Sequence, residues 1–95
     1  MNQKIRDALC DMGHEDAVIF DGPDFDEAIV GVTDDGQVVY DYDAMVECLM
    51  KQDNIGRLEA IEFIEYNTMR ALPYIDNAPI VMNRIRLEDD DQQTE

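Results

Sequence analysis

The chain has 95 residues, 45% of them apolar, which is enough for one small domain with a modest core and too apolar for a wholly disordered chain. It carries 23 acidic and 7 basic residues, a formal net charge of −16, so direct contact with nucleic acid or anionic lipid is excluded by phosphate repulsion. No apolar run approaches a membrane span and the N-terminus is not a secretory leader, so a cytoplasmic protein is expected.

In chain order, Ile5, Ala8, Leu9 and Met12 fall at helical spacing, predicting a helix over 2–12 that stops at Gly13. Ala17 to Phe20 is a short apolar run, expected as a buried strand, followed by turn chemistry at Asp21-Gly22-Pro23-Asp24. Ala28 to Thr33 and Gln37 to Tyr42 are β-rich runs separated by Asp34-Asp35-Gly36, a three-residue hairpin loop with Gly in the left-handed position. A regular register opposes Val32 with Val38, Val30 with Tyr40 and Ala28 with Tyr42 on the core face.

Asp43 is expected to cap a helix over 44–52 with Met45, Val46, Leu49 and Met50 inside. A longer helix follows over 57–71, capped by Asn54 or Gly56 and ended by Pro73; its broad apolar side includes Leu58, Ala60, Ile61, Phe63 and Ile64. Ala78 to Asn83 reads as a last strand, at a sheet edge because Pro79 cannot donate to a ladder. The order α-β-β-β-α-α-β predicts a single α+β domain over 1–87, with helices packed on a small antiparallel or mixed sheet. Residues 88–95 are expected to form a disordered acidic tail.

The charge is not evenly distributed. Residues 15–53 hold 12 acids against one base, Lys51, and residues 88–95 hold five acids and no base, while 1–14 and 54–87 are each neutral. Turns and caps account for single Asp residues, but they accept Asn and Ser equally well, so the excess points to charge itself as the selected quantity.

Val39-Tyr40-Asp41-Tyr42-Asp43, leading into Met45-Val46-Glu47, and Glu59 through Thr68 with Arg70-Ala71-Leu72-Pro73-Tyr74 form two distinctive stretches. Together they resemble a group of small acidic proteins, without an assigned activity, from Gram-positive bacterial genomes, their phages and mobile elements. The resemblance covers roughly residues 17–82. Gly56 departs from it, standing where the group carries a Ser or Thr helix cap. No catalytic residue follows from the resemblance.

The residues themselves point to no chemistry either. His14 is the single histidine, beside Gly13 in a loop, and reads as a loop histidine rather than a general base. No nucleophile elbow, phosphate-cradling loop or zinc spacing occurs, so neither an enzyme nor a cofactor is expected. Asp21, Asp24, Asp26 and Glu27 crowd one turn without the EF-hand pattern, so only weak, nonspecific binding of divalent cations is expected. Cys10 and Cys48 form no C-x-x-C pair and read as free thiols. Asn67 and Thr68 are expected to bond to a neighbouring strand or turn, with Arg70 and Tyr74 bracing the Leu72-Pro73 corner.

Alternate residues of an extended strand lie about 7 Å apart on one face, close to the step between phosphates of a nucleic-acid strand. Asp24/Asp26 and Asp41/Asp43 have that spacing. The leading expectation is therefore a phage- or mobile-element-type inhibitor, anti-restriction or anti-CRISPR-like. Its partner would be a basic, nucleic-acid-binding host protein, such as a nuclease or defence effector, met by a phosphate-mimicking face. The candidate partner-binding residues are Asp21, Asp24, Asp26, Glu27, Asp34, Asp35, Asp41, Asp43 and Glu47. The alternative is a regulatory or antitoxin-like adaptor that binds through apolar contacts at Met50, Phe25 or Tyr66.

Overall fold

Gly13 takes φ +88°, and around it the first helix, α1 (Asn2–Asp11), unwinds as its sequence predicts. The Gly13 N–H donates to the Cys10 carbonyl at 3.0 Å and the His14 N–H to the Leu9 carbonyl at 2.7 Å, the paired bonds of a Schellman ending. The computed structural model describes residues 2–20 and 24–85; Asp21 and the tail expected over 88–95 lie outside the described residues. The buried stripe of α1 is narrower than expected. Leu9 is buried and Ile5 packs against the core, but Ala8 and Met12 face outward.

The expected strand at Ala17 to Phe20 does not form. The segment is extended, with Ala17 and Ile19 buried, but it joins no ladder. Its Phe20 N–H donates instead to the Tyr40 hydroxyl at 3.0 Å, and the Phe20 ring lies 4.7 Å from the Tyr40 ring and 6.1 Å, edge-on, from Phe25. A side-chain oxygen thus satisfies an amide that a strand neighbour would otherwise take. Asp24 then makes an Asx turn, its Oδ1 accepting the Asp26 N–H at 3.0 Å, and a single 3-10 turn (Asp26–Ala28) buries Phe25 and Ala28.

Among the described residues the sheet has three strands in the order β1 (Ile29–Val32), β2 (Val38–Asp41), β3 (Ile80–Met82). The hairpin loop forms as predicted: Gly36 is left-handed at φ +88°, and Thr33 closes the loop through its carbonyl to the Gly36 N–H and its hydroxyl to the Gln37 N–H. Val32 opposes Val38 and Gly31 opposes Val39, but Ile29 opposes Tyr40. A bulge between Ile29 and Gly31 takes up one residue, so Val30 turns to solvent instead of facing Tyr40. β3 runs parallel to β2 at the sheet edge and the sheet is mixed; the strand is shorter than expected, with Pro79 standing just before it.

β2 passes into helix α2 (Tyr42–Asp53) with no intervening loop. The cap is Asp41, two residues before the expected Asp43; its Oδ1 accepts the Asp43 N–H at 3.2 Å. Met45, Val46, Cys48 and Leu49 form the buried side, and Asn54, left-handed at φ 54°, ends the helix. Gly56 caps α3 (Arg57–Phe63), which gives way to a π turn (Ile64–Thr68) and then a 3-10 stretch (Met69–Tyr74). The predicted span is therefore helical but not regular. Asn67 donates its side-chain amide to the Phe63 carbonyl, competing with the ladder, and Pro73 has no N–H to continue an α-helix.

One core joins these elements, from Leu9 through Tyr40 and Leu49 to Ile64. Ala60 and Ile64, one turn apart, bury the inner side of α3 and its π turn. Leu58 and Phe63, expected inside, are 70% and 37% exposed. The fold is α+β, in the order α-β-β-α-α-β.

Candidate functional site

The eight nominated acids among the described residues divide by what each carboxylate already does. Asp26 and Asp41 are buried, at 7% and 3% exposure. Burial, and then the charge of Asp24, push the Asp26 carboxyl above its ordinary value. Asp41 caps α2 through Oδ1 and binds the Arg84 guanidinium through Oδ2. Asp43 and Glu47 share Arg57, whose guanidinium lies 3.3 Å from the first and 3.4 Å from the second. Each alternate-residue pair, Asp24/Asp26 and Asp41/Asp43, therefore presents at most one carboxylate to solvent, and neither forms an extended ladder.

Asp24, Glu27, Asp34 and Asp35 remain exposed, in two places. Asp24 and Glu27 line a hollow of about 260 Å³ with Cys48, Lys51 and Gln52. Gln52 fixes its wall, giving its amide to the Asp24 carbonyl and accepting the Asp24 N–H. Lys51 supplies a positive charge here, so this hollow is mixed in sign.

Asp34 and Asp35 stand at the hairpin tip, and the fold brings distant residues to them. Asp35 and Gly36 line a second hollow, of about 120 Å³, with Gly13, His14, Asp16, Ala17 and Asn77. Two side-chain bonds hold the tip against the chain before β3. Asn77 donates to the Gly36 carbonyl at 3.5 Å, and Gln37 donates to the Ala78 carbonyl at 2.9 Å. His14 lies so close to Gly36 that a Cβ there would sit 3.3 Å from its Nδ1. Asp16 thus lines one hollow with Asp35, and Asp34 precedes Asp35 at the exposed tip. Sequence reasoning missed Asp16, because only the fold sets the turn after α1 beside the hairpin; its place within the acidic block is the one local signal.

Both thiols are pushed above their ordinary value. Burial, then the charges of Glu27 and Asp24, push the Cys48 thiol up; at Cys10 desolvation and then Glu15 act in the same direction. Among the described residues, no group of three or more His, Cys, Asp or Glu is placed to hold a metal ion, and no helix is long and apolar enough to cross a membrane.

The Asn67 amide bonds to its own helix rather than to a strand, and Arg70 stacks 4.8 Å over the Tyr66 ring rather than bracing the Leu72-Pro73 corner. Of the apolar anchors considered, Phe25 is fully buried and unavailable, Met50 is half-buried, and Tyr66 is 70% exposed. Comparison of the chain with family models, with curated proteins and with solved structures finds no match.

Proposed function

We propose that this chain is a cytoplasmic, non-catalytic inhibitor of the phage or mobile-element type. It binds the basic surface of a nucleic-acid-binding host protein, a nuclease or defence effector, and occupies it as a phosphate mimic in the anti-restriction or anti-CRISPR manner. The observation that carries the reading is the hairpin end. Asp35, next to the exposed Asp34 of the tip, lines one hollow with Asp16, from the turn after α1, on a scaffold pinned by Gln37 and Asn77. Carboxylates held on a fixed frame meet Lys and Arg without first losing backbone freedom, and Arg–carboxylate contacts can be bidentate.

Association through such a face is fast and loosens with salt. The test is capture of host-lysate proteins on the immobilised full chain, elution with a salt gradient, and identification by mass spectrometry. Nucleic-acid-binding proteins should elute at moderate salt and be displaced by added duplex DNA. Capture that survives high salt and is indifferent to DNA contradicts the reading.

A further inference from the structure

His14, the single histidine of the chain, has no part in the buried core, yet it stands at the face that the inhibitory reading uses. It follows the Schellman ending of α1 and is half-buried. Its carbonyl accepts the Ala17 N–H at 3.1 Å. Its ring lies against the hairpin tip, where a Cβ on Gly36 would sit 3.3 Å from Nδ1 and 3.9 Å from Cε1. The hollow it lines has two carboxylates, Asp16 and Asp35, and no basic residue. The elements packed here also carry Cys10 and Asp11 at the end of α1, Glu15 in the turn, Asp34 at the tip and Asp76 before β3. Arg6 is the nearby cation of α1, and its guanidinium donates to the Ala17 carbonyl at 3.2 Å. Among the described residues no carboxylate is within ion-pair distance of the imidazole, so Asp16 and Asp35 stay available to a partner.

We propose that His14 is a pH switch on the acidic hairpin end: protonation of its imidazole weakens the hold of this face on a basic partner. The switch rests on the inhibitory reading of that face and adds its regulation. Imidazole is the side chain whose charge ordinarily changes between about pH 5 and 8, whereas arginine on a partner keeps its charge throughout. Two carboxylates line the hollow, so the added proton takes its lining from −2 to −1. The new cation also stands where an incoming Arg or Lys docks, and repels it. A like charge about 6 Å away in water at low salt lowers affinity about threefold.

Fluorescently labelled octa-arginine is the probe, titrated with the full chain by anisotropy at about pH 8 and about pH 5.5 in low salt. Across this interval the Kd of the parent should rise about threefold more than that of His14→Gln. Every other titrating group, the raised Asp26 carboxyl included, is common to both chains, so the comparison isolates the imidazole. His14→Lys, charged at both pH values, should bind about threefold more weakly than the parent at pH 8. In an Asp16→Asn/Asp35→Asn background the difference that depends on His14 should disappear, because the probe no longer docks beside it. Far-UV circular dichroism of each variant should match the parent. No difference between the parent and both His14 variants, or one of equal size without the two carboxylates, overturns the switch. These outcomes are distinct from failure of the inhibitory reading, which the lysate capture reads at constant pH.

Discussion

Replacing Asp41 by alanine should damage the fold, not a binding face. Asp41 is 3% exposed at the point where β2 becomes α2, and its two oxygens hold different elements. Oδ1 accepts the Asp43 N–H and caps α2; Oδ2 takes the Arg84 guanidinium, just beyond β3. Losing the cap costs about 1 kcal/mol. Losing the charge-assisted bond costs about 1.5 kcal/mol, the low end for such bonds, because the Arg84 side chain is 63% exposed and water resolvates it. Asp41→Ala should therefore lose about 2.5 kcal/mol, a fall in Tm of roughly 10–20 °C for a domain of this size. Asp41→Asn keeps an oxygen for the Asp43 N–H and should lose only about 1.5 kcal/mol. Urea unfolding of both variants, with Arg84→Ala to complete a double-mutant cycle, measures each part. A loss under about 0.5 kcal/mol for Asp41→Ala would refute the assignment of this carboxylate to the β2–α2 junction.

Three further outcomes are expected. The Tm should rise with added salt, because exposed acids outnumber their basic partners and salt screens their repulsion; differential scanning calorimetry with a flat or falling response would contradict the crowding. Gly36→Ala should lose about 1 kcal/mol or more, since φ is +88° and the new Cβ meets His14 at 3.3 Å. Adding His14→Ala should recover the steric part and not the conformational part, as read by urea midpoints. Tyr42 gives a pH signature: burial, then its 2.8 Å bond to Glu65, push its hydroxyl from 10.0 up to about 12. The folded state keeps that proton longer than the unfolded chain, so the contribution is complete below about pH 10 and is lost as pH rises from 10 to about 12. Urea midpoints across that window should fall more steeply for the parent than for Tyr42→Phe; parallel curves would contradict the shift.

The elements legible in the sequence were those whose signal is local. Gly13 and Gly36 each impose a backbone constraint that no distant contact can override, and the α1 ending and the hairpin loop appear where they stand. Misreadings fall where a tertiary partner decides. The 17–20 segment has strand-like residues, but Tyr40 takes the Phe20 amide. The register beyond Gly31 depends on a bulge that alternation cannot reveal. Asp41 and Asp43 are both plausible caps by residue type, and Arg84, far along the chain, pairs with the first. The acidic block was visible from composition, but its members look alike in sequence. Burial alone separates Asp26 and Asp41 from Asp34 and Asp35, and only the fold brings Asp16 to the hairpin tip.

The most direct test of the inhibitory account is the Asp34→Lys/Asp35→Lys double reversal in the lysate capture, beside Glu27→Lys at the mixed-sign hollow. All three residues are exposed, so both variants should unfold cooperatively like the parent. The account predicts that the hairpin reversal abolishes capture of nucleic-acid-binding proteins while the second reversal leaves most of it. Capture unchanged by the hairpin reversal would contradict it.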